Sequence, residues 1–215
     1  MSTFWNTINW KEKNISILFY TGLLIFLFLL LNLVKYKCCL AIVSAANPWL
    51  LEYSGSTETA DVKVIIWSDN QDSSNLFKEE LPSDNWHWEK VFRSNVEGKK
   101  ITGIVGRTKV GRTEELELKK WYYEFAARIK EAGGKVYLDE RINDNIDIVD
   151  FLCKAGAEPQ QWMLDNTTLS VAAWKSDLGN NIYAGKDKIN MQLLTHVSSE
   201  YRQSVLALPV LIDEF

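Results

Sequence analysis

"TEELELKKWYYEFAARIKEAGGKVYLDE", Thr113–Glu140, contains both periodicities from which this domain is built. Leu118, Tyr122, Phe125, Ile129 and Ala132 recur at steps of four and three, so a helix here carries one apolar stripe about 20 Å long. Thr113 is placed to cap it, Glu114 and Glu115 suit the positive end of its dipole, and Gly133 with Gly134 stops it. The period then changes to two in "KVYLDE", a strand. Such a stripe must lie on a sheet or on another helix.

Working downstream, a second helix is expected with Asp144 as its cap, Ile146, Val149, Leu152 and Cys153 facing inward, and Gly156 as its stop. "TTLSVAAWK", "KINMQLLTHV" and "RQSVLALPVLI" follow as strand-like runs separated by turn-rich segments. Upstream, "VKVIIW" (Val62–Trp67), "WHWEKVF" (Trp86–Phe92) and "KKITGIVGRTKV" read as strands, the last with Gly103 and Gly106 marking a bulge or a close backbone approach. Strands, then helices, then strands predict an α+β domain: antiparallel sheet with helices packed on one face.

The amino-terminal quarter has a different composition. Ile15–Val34 holds no charged side chain, and twenty residues at 1.5 Å each match a hydrocarbon core of about 30 Å. The expected organisation is an amino-terminal flank at 1–14, a transmembrane helix at 15–34, a juxtamembrane linker at 35–52 and a soluble α+β domain at 53–215. Lys11 and Lys13 before the run are balanced by Lys35 and Lys37 after it, so only the free amino terminus favours an extracytoplasmic domain. The alternative is cleavage near Val43–Ala45 and secretion. Of three cysteines, Cys38 and Cys39 adjoin the run, while Cys153 reads as a small buried hydrophobe on a helix.

From residue 53 onward there are 20 Lys and Arg against 26 Asp and Glu, a net charge of −6 that argues against nucleic acid as a partner. Two histidines and no ligand spacing leave no metal site, and no cofactor is assigned. The paired carboxylates at Asp69/Asp72, Glu79/Glu80 and Asp139/Glu140 read as surface acids. Ligand-binding candidates are Trp86 and Trp88, which alternate onto one strand face, and Arg107 with Lys109, which share a face of a basic strand suited to an anionic polymer. "GRTKVGRT", Gly106–Thr113, imitates a phosphate-binding loop between strand and helix, with Arg112 where a lysine belongs. It supports the alternative function, a nucleotide-binding or hydrolytic enzyme.

"LSVAAW", "NNIYAGKDKINMQLL" and the closing "LPVLIDEF" resemble the ending of the YwmB-like family, through Asn190, Gln192, Pro209 and Glu214 followed by an aromatic. The resemblance covers about a quarter of the chain. It implies two repeats like those of TATA-box-binding protein in an exported or membrane-linked bacterial protein, with no catalytic residues to carry over. Ala207-Leu208 stands where the family tends to have Gly-Thr. The expected function is therefore non-catalytic: a membrane-anchored extracytoplasmic domain binding an envelope protein or an anionic polymer.

Overall fold

A computed structural model describes residues 49–68, 81–82, 85–94, 100–196 and 202–212. All of them belong to the second of two units of the chain, Ala46–Phe215. The elements run α1 (Leu50–Ser54), β1 (Thr59–Ser68), β2 (His87–Ser94), β3 (Lys100–Gly111), α2 (Arg112–Glu131), β4 (Lys135–Ile142), α3 (Ile148–Ala155), β5 (Glu158–Asp165), β6 (Thr168–Trp174), β7 (Ile182–Ala184), β8 (Asp187–Ile189), β9 (Met191–His196) and β10 (Ser204–Leu208). Eight strands form one sheet in the order β2-β3-β1-β4-β10-β9-β6-β5, and β7 with β8 makes a separate hairpin.

Every neighbouring pair in that sheet is antiparallel. β3 and β4, both antiparallel to β1, are therefore parallel to each other, and α2 crosses over β1 to join them. By the same parity β4 and β5 are parallel, and α3 joins them over three strands. Both crossovers step the same way along the sheet, so the usual right-handed connection puts both helices on one face. The α+β class with antiparallel sheet follows from this arrangement.

Period-two alternation supplies the apolar floor beneath the helices. Val62, Val64 and Ile66 of β1, Val136, Leu138 and Ile142 of β4, Met191 and Leu193 of β9, and Leu206 and Leu208 of β10 are buried there. From α2, Leu118, Tyr122, Phe125, Ala126 and Ile129 meet that floor. Ala132 sits outside the stripe, at the C-cap, and Gly133 follows in the left-handed region at φ 80°.

Several local expectations shift. α2 starts one residue before Thr113, at Arg112, because Gly111 is still paired with Thr59 in the sheet, and Glu114 reaches back to accept the Gly111 N–H at 2.7 Å. α3 is capped by Asp147, whose carboxylate accepts from Val149 and Asp150 at 2.9 and 3.1 Å. Asp144 instead accepts the Ser56 hydroxyl at 2.6 Å. Moving the cap by three residues turns Ile148, Phe151, Leu152 and Ala155 inward and leaves Val149 exposed. The core also takes in Trp49, Leu50 and Leu51 from the end of the span read as linker. β5 lies where no element is expected, β7 lies in a turn-rich connection, and the run "KINMQLLTHV", expected as one strand, divides at Asn190 into β8 and β9.

Gly103 and Gly106 are sites of close approach. Each lies directly across the ladder from a tryptophan, Gly103 from Trp67 and Gly106 from Trp88. A Cβ on Gly103 would lie 2.5 Å from the Trp67 ring, and one on Gly106 2.3 Å from that of Trp88. Among the described residues no helix is long and apolar enough to cross a membrane, and Ile15–Val34 lies outside them.

Candidate functional site

The structure separates the four candidate ligand-binding residues into two pairs. Trp88 pairs with Gly106 in the β2–β3 ladder and so shares the helix-covered face, whereas Arg107 points to the opposite, helix-free face. Trp86 and Trp88 stack at 4.9 Å between ring centroids, and Trp86 also meets Trp121 of α2 at 5.9 Å. Trp88 donates its indole N–H to the Pro82 carbonyl at 2.9 Å. The pair is half-buried packing between β2 and α2, and no single surface contains both it and the basic strand.

Arg107 does open onto a site on the helix-free face, and Lys109 lies on the same face beside it, opposite Asp61. Across the ladder, β1 sets Asp61 opposite Lys109 and Lys63 opposite Arg107. On the other side of β1, β4 sets Arg141 opposite Asp61 and Asp139 opposite Lys63. One transverse row thus reads Lys109–Asp61–Arg141, with alternating signs. The next reads Arg107–Lys63–Asp139, with two cations side by side. Like charges directly opposite in a sheet are destabilising. Glu89 offsets part of this by pairing with Arg107, Arg141 bonds Asp139 at 3.2 Å, and Lys109 lies 3.7 Å from Asp61.

Between the rows lies an open trough of about 570 Å³ lined by Asp61, Val62, Lys63, Arg107, Thr108, Asp139 and Arg141. Asp139 is 7% exposed, and its Oδ1 has no hydrogen-bond partner. Burial raises the Asp139 carboxyl above its ordinary value, against the pull of Arg141, Lys63 and Arg107. Burial also lowers Lys63, and Arg107 and Arg141 push the same way against Asp139. Thr108, the one hydroxyl among the lining residues, donates to the Asn85 carbonyl at 2.9 Å. Lining cations surround one buried oxygen acceptor, an arrangement that suits an anionic group carried beside a hydroxyl.

Beyond the trough, residues 209–212 run over the same sheet face. Val210, Leu211 and Ile212 form a cleft with Lys63, Ile65 and Tyr137, and the Leu211 N–H donates to Gln192 at 3.0 Å. Sequence reading overlooked Lys63, Asp139 and Arg141 as site residues. The usable signal was alternation: Lys63 is the lone charge within "VKVIIW", and Asp139 and Arg141 alternate with Leu138, Glu140 and Ile142. What sequence could not supply is the β3-β1-β4 order that sets these strands side by side.

Glu140, read as one of a pair of surface acids, is 0% exposed, and Glu115 is 3% exposed. Glu140 accepts the Leu50 N–H at 2.9 Å, while Glu115 accepts those of Leu51 and Glu52 at 2.8 and 3.0 Å. Burial first, then Glu115, pushes Glu140 well above the usual carboxylate range. Both influences favour the protonated form of Glu140, whose Oε1 has no hydrogen-bond partner. This carboxyl pair fastens α1 to α2 and β4 and is structural.

The phosphate-loop imitation has no loop. Residues 106–111 are continuous β3 strand paired with β1, and α2 begins at the next residue, so these amides do not form a phosphate cradle. Arg112 donates to the Thr57 carbonyl at 2.8 Å. A second cavity of about 630 Å³ lies between α2 and the segment after β6, among Tyr122, Ala126, Lys130, Leu178, Asn180 and Leu208. Cys153, the one cysteine among the described residues, is half-buried and disulfide-bonded, not a thiol. No family model matches the chain, and no curated protein matches it significantly.

Proposed function

We infer that this chain is a membrane-anchored, non-catalytic, extracytoplasmic domain that binds an anionic, hydroxyl-bearing polymer in the trough around Lys63. The observation that carries the reading is the row Arg107–Lys63–Asp139, where two cations sit side by side above a buried carboxylate oxygen without a partner. Folding alone gains nothing from opposed cations, whereas a phosphate or carboxylate between them removes their repulsion. A neighbouring ligand hydroxyl would donate to Asp139 Oδ1. The anchor rests on Ile15–Val34, and the disulfide at Cys153 supports an oxidising compartment. Kinship with the YwmB-like family, with two TATA-box-binding-protein-like repeats, is part of this reading. It is supported by the residues quoted for the resemblance and by the open sheet face opposite the helices.

Binding of the full chain, held in lipid nanodiscs, to immobilised poly(glycerol phosphate) tests the ligand. Binding should weaken with added salt, and Lys63→Gln or Arg107→Gln should each reduce affinity about tenfold, the equivalent of about 1.4 kcal/mol. Polymer retention that is the same in both variants and the parent would sink the trough as its site.

A further inference from the structure

We propose that the lower half of β5 is a bilayer-contacting edge, with Trp162, Met163 and Leu164 seated at the boundary between headgroups and acyl chains. These three consecutive residues are 51%, 61% and 66% exposed, and no residue of β5 is buried. β5 is the last strand of the sheet, paired with β6 alone. An edge is ordinarily blunted by lysine, proline or short length. Here Pro159 guards only the upstream end, the strand is eight residues long, and its downstream half carries its large apolar side chains on both faces.

The place of this edge in the fold points to lipid. Register links Ile142 to Ser204, Ser204 to Thr195, Thr195 to Leu169 and Leu169 to Leu164, one transverse row across five strands. Ile142 is two residues beyond Glu140, which binds the Leu50 amide. Leu164 and Ile142 are therefore at the same end of the sheet, about 19 Å apart at four strand spacings, and α1, where the described chain begins, is held near that end by Glu140. Residues 35–48 connect the apolar run to Trp49, beside this end of the sheet. Tryptophan beside long aliphatic side chains favours that boundary, and the exposed edge amides remain within reach of headgroups and water.

The proposal rests on the anchor reading, and its test separates the two. Full-length chain with Trp5→Phe and Trp10→Phe is reconstituted in phosphatidylcholine vesicles whose acyl chains are brominated near the headgroup. Flotation with the vesicles reports the anchor. Bromine should quench part of the tryptophan emission, and adding Trp162→Phe, a mild change at an exposed position, should remove at least half of that quenching. Leu164→Asn should reduce it as well. A chain that floats but is quenched equally with and without Trp162 overturns the lipid contact while leaving the anchor. A chain that does not float overturns the anchor. Shielding of Trp162 found only in particles holding two copies would make β5 an interface between chains and overturn the proposal.

Discussion

Glu140 and Glu115 show how far one residue's environment departs from its local sequence. "DE" at 139–140 looks like a solvated acidic pair, yet alternation sends Asp139 to the helix-free face and Glu140 into the core beneath α1. The folded-state value of Glu140 lies above its unfolded one, so the folded protein binds this proton more tightly. Its stabilising contribution is complete below the unfolded value near 4.5 and is lost as pH rises toward the folded value. Wild-type melting temperature should fall across that interval, and Glu140→Gln should flatten the fall, since a neutral amide keeps both a donor for Glu115 and an acceptor for Leu50. Thermal melts of the full chain in detergent at a series of pH values provide the check. An unchanged pH profile in Glu140→Gln would mean that the pair is not sharing a proton.

At the scale of elements, the strongest periodic signals gave the right types and the wrong ends. The α2 stripe was readable because four apolar positions, Leu118, Tyr122, Phe125 and Ile129, repeat at helical spacing. Its first residue was not, since a cross-strand partner, Thr59, holds Gly111 in the sheet. Asp147→Ala should therefore cost about 1 kcal/mol by removing the α3 cap, a drop of about 2–4 °C in melting temperature, whereas Thr113→Ala should change it by less than about 1 °C. Equal effects from the two substitutions would contradict the assigned caps. β5 escaped detection for a physical reason: with no buried face, "EPQQWMLD" has no alternation to read.

For the molecule as a whole, the disulfide at Cys153 bears on where the domain resides. Peptide mapping without reductant should recover the Cys153 peptide joined to a second cysteine peptide, and alkylation of Cys153 should require prior reduction. Ready alkylation in the unreduced protein would argue for a reducing compartment and against an extracytoplasmic domain. The two charged strands show the same dependence on the whole. Arg107 and Lys109 were visible as a basic face of one strand, but a trough exists only where β1 brings Lys63 and Asp61 between them and β4.

By itself the sequence determined the class of each strongly periodic element, the apolar side of the strands that alternate, and the presence of one long uncharged run, because these depend on neighbours within a turn or two of chain. Tertiary structure alone decided that Trp86 and Trp88 pack under α2 while Arg107 and Lys109 face away, and that Lys63, Asp139 and Arg141 complete the charged trough. Those outcomes depend on strand order and register, which come from two crossover helices choosing the same face of the sheet, a choice made over separations of tens of residues that no local pattern records.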